Sequence, residues 1–170
     1  MRYVVLFLSL LAFSATAAAD NFAQVTGPAR PDVMRYLSTT KTDACMDNVT
    51  LGRSVCSLSK VSDVRNMAYG KFPNDGNDYA VVFLATGIQG TNIVRDSVLI
   101  FRNAPGTAGY SFVGSADFKA INPRDVRFQA GRTITWTGTA WGPNDPHCCP
   151  TARKTLRLVV GERTLRLVDQ

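Results

Sequence analysis

Short apolar runs alternate with turn residues at close intervals along the chain, and this spacing predicts a protein built mainly from β-strands. The segment "DYAVVFLATG" (78–87) is an almost unbroken apolar run, rich in β-branched and aromatic residues. "PNDGN" precedes it and a glycine closes it, which marks a central buried strand. A second strand follows in "RDSVLIFRNAPG" (95–106), ended by the turn residues Asn103, Pro105 and Gly106. "GYSFVGSADF" (109–118) is placed to pair back on it as a hairpin. "DVRFQAGRTITWTGTAWG" (125–142) gives two more strands around Ala130 and Gly131. In the later one Thr133, Thr135 and Thr137 alternate with Ile134, Trp136 and Gly138, the two-residue period of a half-buried sheet.

The end of the chain repeats itself. "TLRLV" occurs at 155–159 and again at 164–168, separated by "VGER". Two such copies predict a β-hairpin with the leucines inward and the arginines outward. A solenoid would need more copies at a longer period. Helical signal is confined to "RPDVMRYLSTT" (30–40), where Pro31 and Asp32 open the segment and Val33, Met34 and Leu37 fall at helical spacing. An irregular, cysteine-bearing stretch is expected after it. The fold class is therefore mainly β (α+β): an antiparallel sheet of about six to seven strands with a short N-terminal helix. Residues 20–29 read as a flexible leader, and residues 30–170 as one β-rich domain stabilised by disulfides.

The N-terminus carries an address. Arg2, an apolar run from Tyr3 to Phe13 and a small-residue exit describe a signal peptide over residues 1–19. Ala17-Ala18-Ala19 fits the cleavage site before Asp20, and Ala15-Thr16-Ala17 is a competing frame. The run is shorter than the roughly 20 residues a membrane span needs, so no stable membrane anchor is expected after cleavage. The expected location is periplasmic or secreted. Removing Arg2 lowers the formal charge from +6 to +5. So small a surplus does not resemble a nucleic-acid-binding arm. Basic residues do gather late, and Arg153, Lys154, Arg157, Arg163 and Arg166 are read as a solvated sheet face, with an anionic partner surface as the alternative.

Four cysteines in an exported chain favour disulfides, since the compartments outside the inner membrane are oxidising. Cys45 and Cys56 enclose ten residues and are easily joined, but that leaves Cys148 with its neighbour Cys149 in a strained ring. Crossed pairing avoids the strain and ties the early segment to the late loop, so it is favoured. On the chain-entropy model one such long closure contributes about 4–5 kcal/mol.

"GKFPNDGNDYAVV" (70–82) resembles the Asp-rich calcium loops of FG-GAP-like secreted domains. Asp75 and Gly76 stay aligned with that pattern, but Lys71, Pro73 and Tyr79 stand where it has ligands. A lysine there sets a positive charge against the metal, so the loop keeps the turn without the cage. From about Tyr69 to Asp169 the order of elements, with the motif Gly142, Pro143, Asp145, Pro146, Cys148, Cys149 and Pro150, is similar to a family of exported bacterial proteins of uncharacterised role that share "GPxDPxCCP". The resemblance implies an envelope-associated or secreted protein and brings no catalytic residues. Cys45 and Cys56 lie outside it.

"GPNDPHCCP" (142–150) contains the only histidine, His147. As a metal site it lacks a second histidine, and adjacent cysteines splay apart where a chelate needs spacing such as C-x-x-C. As a redox site it lacks the helix start that lowers a thiol pKa. The structural reading is preferred: the prolines stiffen a crossover between two strands and the cysteines pin it. No G-x-S-x-G or H-E-x-x-H motif is present, and no cofactor is expected. The sequence thus leans away from an enzyme and towards a noncatalytic protein that binds a protein or an envelope component. The alternatives are an inhibitor or immunity-type protein, a thiol-redox or copper-handling protein acting through His147-Cys148-Cys149, and a hydrolase whose pocket would gather Asp75, Asp78, Asp145 or His147.

Overall fold

The computed structural model describes residues 24–39, 42–48, 53–59, 61–87, 94–146 and 149–168. Of residues 42–48, 53–59, 61–63, 87, 94 and 95 the backbone alone is described. The expected signal peptide lies outside these residues. The elements are α1 (Arg30–Thr39), β1 (Thr42–Asn48), β2 (Arg53–Ser59), β3 (Val61–Gly70), β4 (Asp78–Gly87), β5 (Val94–Asn103), β6 (Ser111–Phe118), β7 (Ile121–Gln129), β8 (Thr133–Ala140), β9 (Ala152–Val160) and β10 (Leu165–Leu167). Strands β1 and β2 form a two-stranded hairpin, and the other eight make two antiparallel sheets ordered β3-β4-β5-β6 and β10-β9-β8-β7. No helix among the described residues is long and apolar enough to cross a membrane.

The expected single sheet of six to seven strands is thus corrected to two four-stranded sheets and a separate hairpin. The division falls at Lys119-Ala120, a two-residue corner where the chain leaves the first sheet for the second. Gly138 of β8 makes room for this corner. A Cβ there would stand 2.9 Å from that of Ala120 and 3.1 Å from the Ile121 carbonyl oxygen, too close for any side chain to be added without a shift. Strand β7 then bends through two register shifts, with Asn122 and Asp125 in the left-handed region (φ 53° and 54°). Asn66 of β3 donates to the Pro123 carbonyl across 2.8 Å and joins the two sheets at this edge.

Each face of the first sheet is buried. Val81 and Phe83 of β4, Val98 and Ile100 of β5 and Phe118 of β6 meet Ile134, Trp136, Leu156 and Leu158 of the second sheet. On the opposite face Ala80, Val82, Leu84, Leu99 and Phe101 receive Val33 of α1, with Met34, Tyr36 and Leu37 packed at its margin. Burial on both sides is why β4 shows no polar alternation. The layers are helix, sheet, sheet.

The helix is held at its first turn. Asp32 complements the positive N-terminal end of α1 and accepts the Tyr110 N–H at 2.7 Å. Gly109 approaches at φ +88°, and a Cβ on it would lie 2.8 Å from Asp32 Oδ2. Residues expected to be a flexible leader are packed instead: Val25 and Ala29 are buried beneath β3 and α1. Tyr69 fastens them, its hydroxyl donating to the Thr26 carbonyl (2.6 Å) and accepting from the Ala29 N–H (3.1 Å). The stretch expected to be irregular after α1 is the β1–β2 hairpin.

Asp96 of β5 is an ionisable group set between Ala85 and Phe118 in the ladder. Burial pushes its carboxyl up to about 6, against the opposing charge of Arg65. A folded-state pKa above the unfolded value makes the native state the better proton binder, so stability falls as pH rises from about 4 to about 6. Above that window the whole penalty is in place. Asp96→Asn is expected to gain about 1 kcal/mol at pH 7, after allowing for screening at a partly exposed group, and nothing below pH 4. Urea titrations at the two pH values check it, and an equal gain at both would contradict the burial account.

Candidate functional site

The outward face of the second sheet carries threonines and arginines brought together by strand register. Strand period puts Thr133, Thr135, Thr137 and Thr139 of β8 on this face, because Ile134, Trp136 and Ala140 point inward and are buried. Register then fixes their neighbours. Arg127 of β7, Thr135 and Arg157 of β9 form one cross-strand row, and Arg124, Thr137 and Thr155 the next. Thr139 faces Arg153. Together Asp125, Arg127, Thr135, Thr137, Arg153 and Arg157 border a shallow concavity of about 400 Å³.

Asp125 organises the middle of this face. It accepts the Thr137 hydroxyl at 2.8 Å and an Arg153 N–H at 3.1 Å. The hydrogen bond from Thr137, then the charges of Arg153, Arg124 and Arg127, hold its carboxyl below the usual range. It stays ionised at any physiological pH.

Of the arginines singled out in sequence, Arg157 and Arg166 share this face, since Arg166 pairs in register with Val159. Arg163 sits in the β9–β10 turn, off the strands. The "TLRLV" repeat is the expected hairpin: Leu156 and Leu158 are buried, and Leu165 and Leu167 pack against the same core. Arg153, part of the same late basic run, borders the concavity together with Arg127, which sequence reasoning passed over; Arg163 does not border it. The period-2 threonines were the visible signal, but cross-strand register is needed to add arginines from two other strands.

The "GPNDPHCCP" loop joins β8 to β9. Its centre is Asp145. The carboxylate accepts the Gly142 N–H (2.7 Å), the Thr151 N–H (2.7 Å) and the Thr151 hydroxyl (2.7 Å), clamping the end of one strand to the start of the next. Two turns close around it, from the Asp145 N–H to the Gly142 carbonyl (3.2 Å) and from the Cys149 N–H to the Pro146 carbonyl (3.0 Å). Pro143 falls at the second position of the first turn, where its fixed φ is favoured. Cys149 is disulfide-bonded. His147 and Cys148 lie outside the described residues, as do the side chains of Cys45 and Cys56. Along the backbone Cys45 and Cys56 are direct partners in the β1–β2 ladder.

The Gly142 and Thr151 hydrogen bonds hold the Asp145 carboxyl below its usual pKa, so their stabilisation persists at neutral pH and is lost as acid protonates it. Asp145→Ala is expected to lower the melting temperature and to open this loop to protease, with a smaller effect from Asp145→Asn. Limited proteolysis with mass mapping of the first cut is the measurement.

The calcium-like loop is occupied by its own protein partners. Asp75 accepts from the Asn77 N–H (3.1 Å), the Asn77 side-chain amide, the Tyr79 hydroxyl (2.9 Å) and Arg132 Nε (3.1 Å). Lys71 pairs with Asp78 at 3.1 Å. Neither Asp75, Asp78 nor Asp145 borders the concavity described above, nor a second one of about 340 Å³ between α1 and β6. Among the described residues no group of three or more His, Cys, Asp or Glu side chains converges as a metal site would require. No family model, no curated protein and no solved structure matches the chain.

Proposed function

We propose that this chain is an exported, noncatalytic binding domain whose partner docks on the Arg/Thr face of the second sheet. The observation that carries the reading is the row Arg127–Thr135–Arg157, which sets guanidinium groups from two strands on either side of a hydroxyl. Export is supported by the leader pattern of residues 1–19, and an oxidising destination by the disulfide at Cys149. The noncatalytic part draws support from Asp75 and Asp145, whose carboxylates are engaged with backbone and side-chain donors of their own fold. A thiol or copper role for His147-Cys148-Cys149 is disfavoured by the bonded state of Cys149.

The full-length chain, expressed with its own leader and recovered in processed form, is expected to sediment with a cell-envelope preparation at low salt. Salt should release it, because exposed charges are screened beyond about 10 Å at 0.1 M. An Arg127→Ala/Arg157→Ala variant should stay in the supernatant. Equal sedimentation of the two proteins, or of neither, would remove the basis for the reading.

Cystine connectivity belongs to the same proposal. The ladder pairing of Cys45 with Cys56 favours a bond between them over the crossed arrangement, which leaves Cys148 to Cys149. Peptide mapping without reduction is expected to release a fragment containing both Cys148 and Cys149 with no link to residues 42–59. A linked pair of fragments would restore crossed pairing.

A further inference from the structure

We infer that the ligand of the Arg/Thr face is an acidic glycan, a hydroxyl-rich chain bearing carboxylate or phosphate groups; this rests on the docking reading above. Three observations lead there. The first is charge complementarity: Arg127, Arg153 and Arg157 border the concavity, with Asp125 as its one acid. Arginine's planar fork suits oxyanions, which it can grip through two hydrogen bonds at once.

The second is what lies between the charges. Thr135, Thr137 and Thr155 are neighbours across the ladder; Thr135 and Thr155 offer hydroxyls that both donate and accept, and Thr137, which donates to Asp125, offers its lone pairs. Sugar hydroxyls need that ambivalence. Asp125 adds a fixed acceptor among them, brought onto the face by the left-handed bend of β7.

The third is what the face lacks. Protein partners are anchored by aromatic or apolar side chains in desolvated pockets, and single-stranded nucleic acids by aromatic platforms. The concavity between β7 and β9 presents threonine, arginine, glutamine and aspartate, and its one aromatic residue, Trp136, is buried in the core beneath. Within its borders the concavity has little to hold a protein and no ring to stack a base; Trp141, 48% exposed, is not among its lining residues. Arg127 and Arg157 sit two strands apart, roughly 10 Å between backbones, a span that lets two acidic groups along one extended glycan meet one guanidinium each.

The test is affinity electrophoresis of the processed full-length protein through polygalacturonate, dextran phosphate, neutral dextran and poly-L-glutamate. At least one acidic glycan is expected to retain it tenfold more strongly than dextran or poly-L-glutamate, and Arg127→Ala/Arg157→Ala should cut that retention tenfold or more. Whether polygalacturonate or dextran phosphate is preferred identifies the acid. Thr135→Val, which leaves every charge in place, should weaken retention by about threefold, consistent with the modest net worth of a hydrogen bond. Retention by poly-L-glutamate equal to that by the acidic glycans would overturn the glycan assignment and leave the docking reading standing. So would an absence of retention by all four polymers while envelope sedimentation still depends on Arg127 and Arg157. Loss of that dependence overturns the docking reading itself.

Discussion

Replacing Trp136 with alanine is expected to destabilise the protein by about 4 kcal/mol, the range for a large aromatic removed from a packed core. Trp136 is a buried contact between the two sheets. Its ring lies 5.4 Å from Phe83 of β4 and 5.4 Å from Phe118 of β6, and those two lie 5.9 Å from each other. Two of the three rings belong to one sheet and Trp136 to the other, so truncation empties the middle of the interface. Domains of this kind are stable by only about 5–15 kcal/mol, and the loss would take a large share of that. Among the described residues the indole Nε1 has no hydrogen-bond partner. Trp136→Phe therefore forfeits volume and no hydrogen bond, and should cost about 1–2 kcal/mol. Urea denaturation distinguishes the two through the midpoint, with the slope unchanged if both remain two-state. A near-zero effect of Trp136→Ala would mean that the sheets are not held together there.

The same residue shows what the sequence could reveal. Thr133 to Gly138 alternate strictly, so the inward place of Ile134 and Trp136 was legible before any coordinates. Strand β4 was legible too, at its observed bounds, because burial on two faces leaves an uninterrupted apolar run. Strand β3 was not. Its sequence "VSDVRNMAYG" breaks alternation where the ladder breaks, at the irregularities between Val61 and Asp63 and between Val64 and Asn66. A bulge shifts the face by one residue, and the period-2 signal is lost with it. The division into two sheets left no turn signal either, since Lys119-Ala120 contains neither glycine nor proline.

The candidate face was half legible for a related reason. A threonine every second residue announces one polar row, whereas Arg127, Thr135 and Arg157 become neighbours only through the registers of β7 and β9. The bulges of β7 add residues that no alternation rule would count. By contrast Asp145 sat in a motif conspicuous for His147 and its cysteines, and its importance is local: it needs only partners three and six residues away. The rare residues drew the eye, and the common aspartate does the clamping.

Removing the Arg132 guanidinium is expected to cost about 2–3 kcal/mol, because it takes the charge partner from a mostly buried carboxylate. Arg132 lies in the β7–β8 turn and reaches Asp75 (3.1 Å), the Tyr79 hydroxyl (3.0 Å) and Glu162 (2.5 Å). Glu162 in turn meets Arg102 at 3.2 Å, so the network joins β4 and β5 of one sheet to two turns of the other. The members are not equal. Asp75 has 12% of its side chain exposed and Glu162 has 74%. Glu162→Ala should therefore change stability little, as removal of an exposed pair does. Burial works against the Asp75 charge, but hydrogen bonds from Asn77 and Tyr79 and the charge of Arg132 outweigh it and hold the carboxyl below its ordinary range. A depressed native pKa gives stability that is complete above the unfolded value, near 4, and is lost as pH falls through the native one. In Arg132→Ala one of those supports is gone, so acid unfolding should begin at a higher pH than in the parent. Arg132→Lys keeps a charge without the fork and should recover less than half of the loss. Thermal melts of the three variants between pH 2 and pH 7 measure all of this. If Arg132→Ala and the parent unfold at the same acid midpoint, Asp75 is held by Asn77 and Tyr79 alone, and the tie between the sheets lies elsewhere.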